Sequence, residues 1–196
     1  LFVKRIIDNA PDVSPTDVKP KGFTTFVYAD DGTTEIERFV AEGSNRVYKS
    51  IDEIPLDLQH AFVAIEDERF YTHNGIDLQG IFRAAVSTLS GSEEGASTLT
   101  QQLIKNNVFP NFINEATFFD SAQRKLQEQY LAIQIEKKMS KDEIMEAYLN
   151  TINLGQNSLG VQSASKRYFN KDVSELTVSE CAVIASTTQR PSSLNP

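Results

Sequence analysis

From Ile51 onward the apolar residues fall into helical step. Leu58, Ala61, Phe62 and Ile65 recur at i, i+3, i+4 and i+7, one face of an amphipathic helix. The same reading predicts helices over about 77–89, 98–107, 121–138, 160–168 and 178–186. "SKDEIMEAYLN" adds another, opened by Ser140 as N-cap with Glu143 at its third position, a capping box. Before Ile51 the pattern differs. Phe23 to Tyr28 is β-branched and aromatic, Asp31-Gly32 is a hairpin turn signal, and residues 35–40 alternate, so a small two-stranded unit is expected. Residues 1–22, with Pro11, Pro15 and Pro20, read as a linker or arm with little structure of its own. "SGSEEGAS", residues 90–97, reads as a mobile loop. The expected fold is mainly α with a short N-terminal β-hairpin, and 196 residues suffice for a sizeable core in one or two domains.

Composition excludes some functions. The net charge of −8 argues against a nucleic-acid surface, although it leaves room for a small basic pocket taking a phosphorylated ligand. The single cysteine, Cys181, lies in the apolar stretch "SECAVIAS" and reads as a buried small hydrophobe rather than a nucleophile. It cannot form an internal disulfide, so the redox compartment stays open, and the histidines are too scattered for a zinc site. No apolar run approaches the roughly 18 to 20 residues that span a bilayer. The chain begins without Met or a signal peptide and reads as a piece of something longer.

Three stretches carry polar residues that could do chemistry. In "AIEDERFYTHNG", Glu66 stands at the edge of the apolar face of Leu58, Phe62 and Ile65. A carboxylate there adjoins the core yet can face a cleft, as a general base or acid requires. The plainer alternative is a charged helix end, with Arg69 pairing Glu66 or Asp67 in an exposed ion pair. In "GASTLTQQLIKN", Ser97, Gln101 and Lys105 at i, i+4 and i+8 would line one helix side and receive an anion. Thr98 and Gln101 also read as an ordinary capping box. In "RKLQEQYLAIQIEKK", Arg124 and Lys125 could grip a phosphate while Glu128 orients them, or the three could be a helix-surface ion pair. No Gly-rich phosphate loop and no Ser/His/Asp triad is visible.

Each stretch alone is weak, but their order is specific. "EDERFYTHNG", "GASTLTQQLIKN", "RKLQEQYLAIQIE", "KDEIMEAYLNTINLG" and "GVQSASKRYFNK" follow one another over residues 66 to 171. Together they resemble the five motifs of the peptidoglycan glycosyltransferase domain, glycosyltransferase family 51, of class A penicillin-binding proteins and monofunctional transglycosylases. With its flanks the resemblance runs from about residue 23 to the end, leaving 1–22 as a linker from a missing membrane anchor. It implies a lysozyme-like fold with a large helical lobe and a smaller jaw lobe. It also implies an inverting polymerisation of lipid II into β-1,4-linked glycan with release of undecaprenyl pyrophosphate. Glu66 matches the family's general base and Glu128 its second essential acid. Asp67, Ser97, Thr98, Gln101, Gln102, Lys105, Asn106, Arg124, Lys125 and Asn150 match positions that bind substrate or border it.

The resemblance implies no required cofactor, with a divalent cation, Mg or Mn, as an optional aid. The partners it implies are lipid II, the growing lipid-linked glycan strand and the membrane surface, with no nucleic acid. A transpeptidase domain beyond Pro196 is open, and the expected location is the extracytoplasmic face of a bacterial cytoplasmic membrane. Two departures stand out. Gly95-Ala96 replaces the usual Gly-Gly, and the connection "NVFPNFINEATFFDSAQ" lacks the arginine many members carry there. Val108, Phe109, Phe112, Ile113, Phe118 and Phe119 in that connection either rest on the bilayer or pack in the core. A lysozyme-like hydrolase or lytic transglycosylase would share the fold and the glutamate, but has no use for Lys105 and Arg124 beside a pyrophosphate.

Overall fold

The computed structural model describes residues 2–41, 45–89, 95–109, 112, 115 and 117–189. The chain divides into two compact units, one of residues 1–19 and 62–148, the other of 20–61 and 149–196. Helices dominate both, with a small two-stranded sheet in the second. Most of the loop read at residues 90–97 lies outside the described residues.

In unit 1 the helices are α1 (Phe2–Asp8), α2 (Pro15–Val18), the end of α3 (Leu56–Glu66), α4 (Leu78–Leu89), α5 (Leu99–Val108), α6 (Phe118–Glu136) and most of α7 (Lys141–Leu149). α5 packs along α6, and Leu99, Leu103, Ile104, Leu131, Ala132 and Ile135 between them are buried. Burial of such side chains contributes about 1.5–3 kcal/mol each, which makes this seam the anchor of the unit. The N-terminal segment is not a loose arm. α1 packs on α6 and α2 on α5, burying Ile6, Val13 and Val18. Gln127 Nε2 donates to Ile6 O (3.0 Å) and Lys138 Nζ to Val13 O (2.9 Å), pinning the segment's backbone. Prolines mark its turns without unfolding it.

One glycine shapes this unit. Gly75 has φ +88°, and a Cβ there would stand 2.6 Å from the Ala132 carbonyl carbon on α6. Only glycine allows the turn after His73 to press this closely on the helix backbone.

Unit 2 holds the hairpin of β1 (Thr25–Tyr28) and β2 (Glu35–Phe39), antiparallel, with Phe26 opposite Arg38 and Thr25 opposite Phe39. Its turn is fixed by Asp31, whose carboxylate accepts from Thr33 N and Thr34 N, each at 2.8 Å, with Gly32 at φ +70°. The hydroxyl and amide of Thr34 and the amide of Thr33 hold the Asp31 carboxyl down to about 2. α8 (Val161–Phe169) and α9 (Val178–Ser186) pack together, burying Val161, Ala164, Cys181, Ile184 and Ala185. Cys181 is a buried apolar group as expected, and burial pushes its thiol up.

Candidate active site

Unit 1 gathers most of the singled-out residues where α5 begins and along the first half of α6. Thr98 caps α5: its Oγ1 accepts from Gln101 N (3.2 Å) and donates to Gly75 O (2.9 Å). The Gln101 side chain does not complete a capping box. Its Nε2 also donates to Gly75 O (3.1 Å), and the residue is 1% exposed. Ser97, Gln101 and Lys105 therefore do not share one open helix side. Ser97 precedes the helix, so the i, i+4 step does not start there, and the Gly75 carbonyl draws Gln101 inward.

Asp67 is likewise committed inside. It accepts from Leu99 N (2.9 Å), satisfying one of the orphan amides of the α5 N-terminus, and from His73 Nε2 (2.9 Å). Gly75 N donates to His73 Nδ1 (3.2 Å), which places the imidazole proton on Nε2. Arg69 forks onto Asp77, with Nη2 to Oδ2 at 2.6 Å, and holds the Asp77 carboxyl down at about 2. An ion pair from Arg69 is thus not what holds Glu66.

Glu66 ends α3 and is half-buried. Its Oε2 accepts from Gln102 Nε2 at 2.8 Å, and the Gln102 Oε1 accepts from the Tyr148 hydroxyl at 3.3 Å. Tyr148 is fully buried; burial, then the carboxylates of Glu66 and Asp67, push its phenol well above its ordinary range. It therefore stays a donor and fixes which end of the Gln102 amide meets Glu66.

Gln102 also lines a cavity of about 320 Å³ with Ser97, Lys105, Phe112, Arg124, Lys125 and Glu128. Glu128 is 1% exposed and lies between two cations. Arg124 Nη1 donates to its Oε1, and Lys125 Nζ stands 3.3 Å from Oε2. Lys125 also donates to Ser97 Oγ at 2.6 Å. Burial lowers the Lys125 ammonium below its ordinary value and nearby Lys105 and Arg124 add to this, while Glu128 opposes it. The Phe112 ring lies beneath Lys105 Nζ (5.1 Å to the centroid) and Arg124 Cζ (5.6 Å). Three cations lining one pocket, two of them paired with a buried carboxylate, make it suited to a compact polyanion.

Other candidates lie elsewhere. Asn106 is half-buried on α5 and is not among the cavity-lining residues. Asn150 belongs to unit 2, where its Oδ1 accepts from Lys49 N (2.8 Å) and its Nδ2 donates to Lys49 O (2.7 Å). Both ends of its amide clamp backbone. Among the apolar residues of the connection, Phe118 is 90% exposed and Phe119 53%, whereas Val108, Phe109 and Phe112 are half-buried. Ile113 lies outside the described residues. A longer apolar stripe occurs on α4, where Leu78, Phe82, Val86 and Leu89 are all exposed. No helix among the described residues is long and apolar enough to cross a membrane.

The donor set does not fit a resident divalent cation. Such ions take about six oxygens, whereas both oxygens of Glu128 face cations. No cluster of three acidic, histidine or cysteine side chains that could hold a metal occurs among the described residues.

The sequence that builds this site has relatives among known proteins. The chain belongs to the transglycosylase family, which it matches over residues 32–196. It is 43% identical to penicillin-binding protein 1A of Clostridium perfringens (strain 13) over 98% of its own length. To penicillin-binding protein 1A of Clostridium botulinum (strain Langeland) it is also 43% identical, over its whole length. It is 42% identical to penicillin-binding protein 1A of Rickettsia bellii over 88% of its length. The chain spans only about a quarter of the two clostridial relatives, 28% and 23%.

Proposed function

We propose that this domain is a peptidoglycan glycosyltransferase that polymerises lipid II, with Glu66 as general base and inversion at the anomeric carbon. The observation that carries the reading is the cavity lined by Lys105, Arg124, Lys125 and Glu128, on whose wall Gln102 donates to Glu66. Glu66 takes the proton from the acceptor's sugar 4-hydroxyl as that oxygen attacks the anomeric carbon of the donor. The bond to the diphosphate breaks on the opposite face, and undecaprenyl pyrophosphate leaves, giving a β-1,4 link. A diphosphate leaving group needs its charge matched more than it needs a proton, and the three cations supply that. A divalent ion is assigned no step, because Glu128 is already occupied by Arg124 and Lys125. The growing strand would stay lipid-linked at the outer face of the cytoplasmic membrane. The α4 stripe and Phe118 offer apolar contact with that surface.

The test is radiolabelled lipid II with wild type and Glu66→Gln. Wild type should yield polymer and no cleaved disaccharide, and the variant should lose roughly 10² to 10⁴ in rate while staying folded. A folded Glu66→Gln enzyme with near-normal polymer yield removes Glu66 from its role. Cleaved glycan instead of polymer would favour a hydrolase.

A further inference from the structure

We infer that Glu115 is a resident stand-in for a substrate phosphate: it occupies Arg124 until the donor's diphosphate displaces it. Arg124 carries two carboxylates. Its Nη1 donates to Glu128, while Nε and Nη2 fork onto Glu115, the Nη2–Oε2 distance being 3.1 Å. The Ser121 hydroxyl donates to the same Glu115 oxygen at 2.7 Å. Nε and Nη2 form the guanidinium edge that pairs with two oxygens of a phosphate, so Glu115 presents a carboxylate where a phosphate would bind.

The two carboxylates are not equivalent. Glu128 is 1% exposed and sits one helical turn from Arg124 on α6, so it can leave only by breaking the helix packing. Glu115 belongs to no helix or strand; it comes from the connection between α5 and α6, and its side chain is 17% exposed. Its release disturbs only its own contacts. Charge balance points the same way. Lys105, Arg124, Lys125 and Glu128 line the pocket and Glu115 pairs with Arg124, so the group carries a surplus of one positive charge, which becomes two once Glu115 swings out. A diphosphate is better matched by the larger surplus. Glu115 is itself held below its ordinary carboxylate value, first by Arg124 and then by Ser121, so it is charged and competing near neutrality. Its function is to lower the affinity of Arg124 for anions that cannot also engage Lys105 and Lys125.

This inference rests on reading the cavity as the diphosphate site, and the experiment separates the two. Inorganic pyrophosphate is titrated calorimetrically into the full chain as wild type, Glu115→Gln, Glu115→Ala and Lys105→Ala, with thermal melts confirming that each is folded. If the Glu115 fork is engaged about nine-tenths of the time, it weakens the apparent affinity roughly tenfold. Both Glu115 variants should therefore bind about tenfold tighter, and with lipid II they should lower KM while leaving kcat unchanged. Equal or weaker binding by both, with Lys105→Ala still weakening wild type, would show that Glu115 merely supports Arg124. That outcome overturns the inference and leaves the diphosphate site standing. Binding that is absent in wild type and in every variant overturns both.

Discussion

Gln102 offers the sharpest test of how Glu66 is held. It links Glu66, at 2.8 Å, to the buried Tyr148 hydroxyl, at 3.3 Å. Gln102→Ala removes a hydrogen bond to a charged group, an interaction of about 1.5–3 kcal/mol in general. Gln102 is half-buried and water can partly replace its amide, so the lower end applies. The expected loss is roughly tenfold in kcat, from a less ordered base. Tyr148→Phe acts one step further away. It deletes a long hydrogen bond while keeping the ring that packs edge-on to Phe62 at 5.9 Å. Its effect should stay within about 1 kcal/mol on stability and a few-fold on rate. The predicted order is therefore Glu66→Gln, then Gln102→Ala, then Tyr148→Phe, scored as initial polymerisation rates at saturating lipid II beside urea melts. A folded Gln102→Ala enzyme with wild-type kcat would refute the relay. So would Tyr148→Phe exceeding Gln102→Ala without a matching loss of stability.

Three further outcomes are expected. Gly75→Ala should cost about 3 kcal/mol or more in a urea melt, since it combines a positive φ with a Cβ driven into the α6 backbone. Asp77→Asn should flatten the acid limb of stability. The Asp77 carboxyl is lowered from 3.8 to about 2, so its contribution is present above 3.8 and lost as pH falls toward 2. Allowing for partial exposure, that contribution is about 1–2 kcal/mol, read from melts at pH 5 and pH 2. Replacing Leu78 and Phe82 on α4 with Glu should reduce sedimentation with anionic vesicles several-fold and leave pyrophosphate affinity unchanged; equal sedimentation would detach α4 from the membrane.

Local signals in the sequence were reliable where a few neighbouring residues decide the structure. The Ser140 capping box forms with Glu143 as read, and Asp31-Gly32 does turn the hairpin. The helical face of Leu58 and Phe62 is fully buried, although Ile65, read on the same stripe, is 39% exposed because α3 ends one residue later. Where distant residues decide, the sequence was mute. Ile6, Val13 and Val18 are too sparse to show a period, and only α5 and α6 make residues 2–19 a packed segment. The choice between Gln101 and Gln102 depends on where the Gly75 carbonyl points, which no spacing encodes. Glu115 and Phe112 had no signal beyond composition, lying in a connection without periodicity. The α4 stripe was legible as a helix, but nothing local says that its apolar face stays uncovered.

The contrast between the two central carboxylates explains why each suits one half of a transfer reaction. Glu66 accepts from the neutral amide of Gln102, which orients a carboxylate without cancelling its charge. Glu128 is paired with an arginine and a lysine. What Glu128 gains instead is control of geometry. It fixes two long, flexible cations on one wall, so a diphosphate meets donors that are already in place. A neutral partner in place of those cations would leave the almost fully buried Glu128 charge uncompensated, at a cost of several kcal/mol. Under the proposed reaction, charge organisation therefore falls to Glu128, and the Gln102 amide orients Glu66 for the proton-accepting role proposed for it.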